Sequence, residues 1–408
     1  MLHLLLRPLK PKLGSPLRSI SFAVLFSLIF LEVLAQATEN YLKSAGRSTR
    51  VAPQSVLNIL PSQLEVVGQI CRNELRYHRI SASLGWDIRP NGVSPLYLAN
   101  TQGIRAPHDY TPEMGSGHRR FIIMGDSYTH GDEVEYGDTW GAKLADRTGS
   151  EVINLGVPGY GPDQALLRYG EFADTFEATD VLFGIMTENP YRLLNSFRPF
   201  INGRSNHPMS KPRFVLEGEG LRLIPPLLQS TVDYCHLATE KSGLLPELGA
   251  FDYRYQRYHP PRWIPWFATT RLLWETRALL KGDGVMVPPR RGEDKGPEYD
   301  MDGEGLQILT RLLGMARRVT ATHGSRMVVV IFPGPEALKN HQKFGGWLHE
   351  PLTRWLKLKG FSYIDVGPGL VSQKECEILG VSHYAACANT LVATQIAQYY
   401  AQSFADAP

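Results

Sequence analysis

From about residue 119 the chain alternates short, wholly apolar runs with amphipathic ones. Residues 119–124 end in Phe121, Ile122, Ile123 and Met124 with no polar interruption, as a strand buried on both faces requires. Segments 151–155 (EVINL), 180–186 (DVLFGIM), 327–332 (MVVVIF) and 363–366 repeat that pattern. Between them lie helical stretches: 164–173 behind Pro162, a run with Leu306, Leu309, Leu313 and Ala316 at helical spacing, and 350–359. A last helix is expected to open at Asn389, a good cap residue, and to bury Val392, Ile396 and Tyr399. Alternating strands and helices predict an α/β fold, a three-layer sandwich with a mostly parallel five-stranded central sheet.

The alternation lapses once, over 191–300, which reads as a long insertion between a first half at 118–190 and a second at 301–405. The insertion is rich in Pro, Arg and aromatics, among them Trp263, Trp266 and Phe267. Those rings suit either a lid or wall for a sugar-bearing ligand or a small core of the insertion's own. Residues 38–117 read as a lead-in of strands and turns packed against the sheet.

The N-terminus has a different pattern. Arg7, Lys10, Lys12 and Arg18 precede an apolar run, 20–34, broken by Ser21, Ser27 and Glu32, and Ala35, Gln36 and Ala37 follow. A positive region, an apolar region and an A-x-A triplet over 1–37 predict a secretory signal peptide. An uncleaved anchor is the other reading, with Glu32 near its outer end. Either one places the bulk of the chain outside the cytoplasm, periplasmic or extracellular.

The 408 residues carry a formal net charge of only +3, and those four N-terminal cations account for it. No basic stripe calls for nucleic acid. The four cysteines lie in a compartment that permits disulfides. Cys376 and Cys387 flank His383 and read as a closed loop or as two buried thiols. Neither a CxxC nor an HExxH occurs, so nothing argues for a structural or catalytic zinc.

Candidate chemistry centres on Ser127. An attacking serine needs a sharp turn to present it, a base to take its proton, and donors aimed at the oxyanion. Gly125, Asp126 and Ser127 directly follow a buried strand, at the sheet edge where open α/β folds bind ligands. The G-x-S-x-G elbow of α/β-hydrolases is absent. Asn154, Gly156 and Gly159 follow the second strand, Asn189 the third, and His383 precedes the last helix.

In that order these pieces resemble the SGNH (GDSL-type) serine hydrolases, bacterial exported or N-terminally anchored type, over about half the chain. The resemblance implies an SGNH/flavodoxin-like sheet, Ser127 as nucleophile and His383 as base. It implies an oxyanion hole from the Ser127 and Gly159 N–H groups and the Asn189 amide, supported by Asp126 and Asn154. The family usually carries an Asp three residues before the histidine; that position is Gly380. Glu375, Glu377, Asp365 or a backbone carbonyl of the 375–382 loop could orient the ring instead. His130 is expected to be packed or solvated rather than to act.

The implied function is extracytoplasmic hydrolysis of acyl esters, with O-acetyl groups of envelope or secreted glycans, or lipid-like esters, as substrates. This chemistry needs no cofactor. An O-acyltransferase served by a membrane acyl-donor partner would use the same site. A catalytically inactive SGNH domain acting as a glycan-binding or assembly module is the rival from another class.

Overall fold

The computed structural model describes residues 16–44, 59–115, 119–201, 207–239, 244–258, 267–280, 282–289, 293–373 and 375–405. The chain forms two compact units, one from 1–53 with 258–280 and the other from 54–257 with 281–408. A stretch inside the expected 191–300 insertion thus belongs with the N-terminal helix, and the remainder with the sheet.

The larger unit is built on five strands: β1 (Arg120–Met124), β2 (Glu151–Asn154), β3 (Asp180–Met186), β4 (Arg326–Phe332) and β5 (Tyr363–Asp365). They lie in the order β5-β4-β3-β1-β2, and every pairing is parallel. The chain leaves β1 toward β2 and then crosses back over it to β3. The two connections diverge between β1 and β3, which opens a crevice at their carboxyl ends.

Both sheet faces are covered, which is why the strands read as unbroken apolar runs. Ile122, Val181, Phe183 and Val329 face one way, toward Leu306, Leu309 and Leu313 of the helix Glu304–Thr322. Phe121, Ile123, Leu182 and Val328 face the other way, into a core shared with Trp140, Val392 and Ile396.

Several boundaries differ from expectation. The last helix spans Ala386–Ala405, so Asn389 is not its cap. Its amide Nδ2 donates to the Tyr384 carbonyl at 2.8 Å, and its Oδ1 accepts from the Trp140 N–H at 3.1 Å. Tyr400, not Tyr399, is the fully buried tyrosine, since 400 continues the spacing of 392 and 396. The lead-in contains a helix, Pro61–Cys71, besides the hairpin His78–Ser81 with Gly85–Ile88.

Cys71 is joined to Cys235, a pairing the sequence did not suggest across 164 residues. Cys376 and Cys387 are also joined, with Cα atoms 5.8 Å apart, so the thiol alternative falls. Within the insertion, Phe197, Phe200 and Tyr255 pack ring on ring. Trp263 and Trp266 lie outside the described residues.

The smaller unit contains the helix Pro16–Ser44, which runs without a break through Ala35, Gln36 and Ala37. Its residues 20–42 are long and apolar enough to cross a membrane. The helix Ala268–Leu280 packs against it. The Glu32 carboxylate caps that second helix, accepting from the Ala268 N–H, from the Thr269 N–H at 3.1 Å and from the Thr269 hydroxyl at 2.8 Å. Glu39 pairs with Arg271.

Candidate active site

The site starts at the end of β1. A Cβ on Gly125 would stand 2.1 Å from Thr129 Oγ1 and 3.0 Å from the Gly184 carbonyl oxygen, so only glycine fits there. Asp126 then extends and caps the short turn Ser127–His130, its Oδ1 accepting from the Tyr128 N–H at 2.9 Å. Ser127 follows as the first residue of that turn, with only 3% of its surface exposed.

His383 arrives from the far end of the sequence. The Cys376–Cys387 bridge clasps its loop, and the Gly380 N–H donates to the His383 carbonyl at 2.8 Å. The Tyr128 hydroxyl donates to the Ser382 carbonyl at 2.9 Å, tying this loop to the serine turn. The ring's Nε2 lies 2.8 Å from Ser127 Oγ.

On the other side of the ring, Nδ1 lies 2.8 Å from Oε1 of Glu133. None of Glu375, Glu377 or a carbonyl of the 375–382 loop takes this place. Asp365 instead lies 2.9 Å from His349 Nε2. Glu133 comes from the segment just after Ser127, with its backbone in the left-handed region at φ 70°. Few non-glycine residues adopt that conformation without a surrounding that holds it.

The surrounding here is dense. The Glu133 carboxylate accepts from the Val381 N–H at 2.8 Å, the Ser382 N–H at 3.0 Å, the His383 N–H at 3.2 Å and the Ser382 hydroxyl at 2.6 Å. Burial by itself would raise its pKa, but the hydrogen bonds from His383, Ser382 and the loop backbone outweigh that and lower it to about 2. It is therefore a carboxylate at any ordinary pH. The only sequence cue to Glu133 was its closeness to Ser127, because φ and loop direction are invisible in composition.

The oxyanion side is built from β2 and β3. Gly159 sits at φ 82°, and the loop before it is pinned by the Trp86 indole N–H donating to the Pro158 carbonyl at 3.0 Å. Among the described residues, neither the Ser127 nor the Gly159 N–H has an acceptor. Asn189 Oδ1 accepts from the Met186 N–H at 2.9 Å, and its Nδ2 donates to Asp126 Oδ2 at 2.9 Å. That leaves one N–H of the amide for another acceptor. Arg192 shares the same Asp126 oxygen at 2.9 Å. Asn154 braces the floor, donating to the Thr129 carbonyl at 3.0 Å and accepting from the Gly156 N–H at 2.9 Å.

His130 points away from Ser127. It is fully buried, with Nε2 2.6 Å from the Tyr77 hydroxyl and Nδ1 2.5 Å from Asp132 Oδ1. Burial pushes its pKa down to about 4, so the ring is neutral and structural at neutral pH. No group of metal-ligating side chains occurs among the described residues.

No family model and no curated protein matches the chain. Among solved structures, a member of the lipolytic G-D-S-L family from Veillonella parvula overlaps 70% of this chain and 99% of its own, at 12% identity and TM-score 0.35. A GDSL-like lipase from Bacteroides thetaiotaomicron overlaps 71% and 91%, at 9% identity and TM-score 0.34. A psychrotrophic esterase from a Pseudoalteromonas species overlaps 71% and 100%, at 9% identity and TM-score 0.32. Overlaps this loose carry no statement about activity.

Proposed function

We propose that the protein is a serine hydrolase of the SGNH kind that cleaves acyl esters, with Ser127 as nucleophile, His383 as base and Glu133 as the residue that orients the base. The observation that carries this is one unbroken hydrogen-bonded chain: Ser127 Oγ to His383 Nε2 at 2.8 Å, then His383 Nδ1 to Glu133 Oε1 at 2.8 Å.

Ser127 Oγ adds to the ester carbonyl carbon while its proton passes to His383 Nε2. The carbonyl oxygen becomes an oxyanion facing the N–H groups of Ser127 and Gly159 and the remaining Asn189 N–H. Collapse breaks the ester C–O bond, and the leaving alkoxide takes the proton from Nε2. Water then repeats the sequence, with Nε2 removing its proton, and releases the acid and free Ser127. Glu133 holds Nδ1 protonated, which leaves Nε2 free to accept, and its negative charge stabilises the imidazolium.

The reading as an inactive module drew its support from Gly380 and from the loose match of the third motif at Asn189. A carboxylate on Nδ1 answers the first of these. A fluorophosphonate probe tests the proposal: labelling of wild type and none of Ser127→Ala is expected, and an unlabelled wild type would sink it.

We further infer that the N-terminal helix is retained as an anchor. Side chains from Ile20 to Leu31 are largely exposed and apolar, a surface suited to lipid. Val33 and Leu34 continue that surface past Glu32, and the Glu32 carboxylate is used as a helix cap. The substrates would then be esters outside the cytoplasm, with O-acyl groups of envelope or secreted glycans as the leading class.

A further inference from the structure

Arg198, at the start of the short helix Arg198–Ile201, has no role in the relay, yet it lies against the oxyanion loop. A Cβ on Gly159 would be 3.9 Å from Arg198 Nε and 4.0 Å from its Nη2, and 3.4 Å from the Trp86 ring. The side-on edge of the guanidinium, the edge whose two N–H groups run parallel, therefore faces the hydrogen-only side of Gly159. Any larger residue at 159 would fill the space between them.

Among the described residues, that edge has no hydrogen-bond partner. Arg198 is 9% exposed, and its Nε is buried with no hydrogen-bond acceptor. Its backbone N–H is used, donating to the Met209 carbonyl at 3.0 Å, but no described acceptor meets the guanidinium. A buried cation without a counter-charge is costly, and proteins rarely keep one unless something else supplies the charge.

The Asp126 carboxylate does not. Asp126 Oδ2 is already shared by Arg192 and Asn189, and Oδ1 by the Tyr128 N–H. Glu188, the other acid nearby, is pushed by burial toward its neutral form. Burial and the Arg192 charge lower Arg198 to about 9, which still leaves it protonated at neutral pH. The site thus holds two guanidiniums, Arg192 and Arg198, and the Asp126 carboxylate hydrogen-bonds to the first and not to the second.

We propose that Arg198 is a specificity residue that receives a carboxylate of the substrate in bidentate fashion beside Gly159, so that the preferred substrates are esters carrying an acid group. Resting on the ester-cleaving reading above, this adds a charge to the substrate class. A parallel pair of N–H donors matches the two oxygens of a carboxylate. An acidic glycan or another acid-bearing ester has this chemistry; a plain alkyl ester does not.

The test separates binding from turnover. Full-length Ser127→Ala protein is titrated calorimetrically with 4-acetoxyphenylacetate and with its methyl ester, which differ in the charge and one methyl group. The anion is expected to bind about ten- to hundredfold more tightly, the range of hydrogen bonds between charged groups. Ser127→Ala/Arg198→Gln is expected to bind the two alike, and Arg198→Lys to keep part of the preference. Equal binding before Arg198 is changed, or a preference that survives Arg198→Gln, would overturn the proposal. If the glutamine variant does not fold, raising salt must shrink the preference of the Ser127→Ala protein, and a salt-independent preference counts against Arg198. Turnover by wild type is read separately. Binding of the anion with no cleavage of either ester would refute the hydrolase and leave the subsite standing. An equal loss of cleavage on both esters in Arg198→Gln would mean that the guanidinium serves the oxyanion instead.

Discussion

His383 and Glu133 stand 250 positions apart in the chain, and their side chains meet at 2.8 Å. The contact is reinforced around its edge, because three consecutive N–H groups, from Val381 to His383, donate to the same carboxylate. Glu133 therefore fixes both the ring and the loop that carries it. Removing the carboxylate should impair the base and loosen its support together. For Glu133→Gln we expect kcat to fall by about a hundred- to ten-thousandfold. The upper figure is the cost of a wrong tautomer in serine proteases. Ser382 Oγ, 3.0 Å from Nδ1, is a second acceptor that favours the lower figure. Steady-state kinetics on a chromogenic ester checks this, and a loss under tenfold would remove Glu133 from the relay.

Ser127→Ala should abolish ester cleavage, with kcat down by about a millionfold. The hydroxyl's one contact in the site is His383, so the thermal midpoint should move little. Residual cleavage near the wild-type rate would assign the nucleophile elsewhere.

Much of this site was legible in the sequence, and the missing part has a physical reason. Strand ends and helix starts follow from apolar periodicity, and the resemblance to the SGNH order of motifs singled out Ser127, Gly159, Asn189 and His383 at those ends. Glu133 was not among them. Its position depends on a left-handed residue that turns the chain back toward the sheet edge, and no pattern of side-chain types encodes that turn. The Cys71–Cys235 bridge was hidden for a similar reason, since it joins two helices of irregular regions whose contact is set by packing. Asn389 misled in the opposite direction. It is a good cap by type, but it spends its amide on Tyr384 and Trp140 instead.

The lowered pKa of Glu133 fixes a dependence on pH. Its value is about 2 when folded, against an ordinary 4.5, so the unfolded chain binds the proton more readily. The stabilisation is therefore fully present above about pH 4.5 and is lost as pH falls toward 2. The difference in thermal midpoint between wild type and Glu133→Gln should be constant from neutral pH to mild acid and then close. A difference that widens in acid would reverse the assigned sign.

Gly380 occupies the position where the resembled family carries its acid. A Cβ there would lie 3.1 Å from Glu133 Oε2, so Gly380→Asp would add a second carboxylate beside the first. Like charges at that range disfavour ionisation of both. The Gly380 backbone is not left-handed, so the effect is one of crowding and charge rather than strain. We expect kcat/KM to fall by about tenfold or less, or about 1.4 kcal/mol. A thousandfold gain would mean that the wild-type ring lacks an orienting group.

The N-terminal helix supplies the last test. If it were cleaved after Ala37, Glu32 would be lost, and with it the cap on the helix Ala268–Leu280. Losing a cap costs a helix about 1 kcal/mol, and the apolar packing between the two helices would go as well. Retention keeps both. It also leaves the uncovered side chains from Ile20 to Leu31 in lipid, where their exposure is no liability. We therefore expect the protein in the membrane fraction, with peptides upstream of Ile20 detected by mass spectrometry, and an active C-terminal alkaline phosphatase fusion. A soluble chain beginning at Thr38 would make the segment a cleaved signal, and an inactive fusion would place the site on the cytoplasmic side. In Glu32→Ala, the helix Ala268–Leu280 should exchange its amide hydrogens faster while ester cleavage at Ser127 stays unchanged. A fall in cleavage with no change in exchange would show that Glu32 acts in some way other than as a cap.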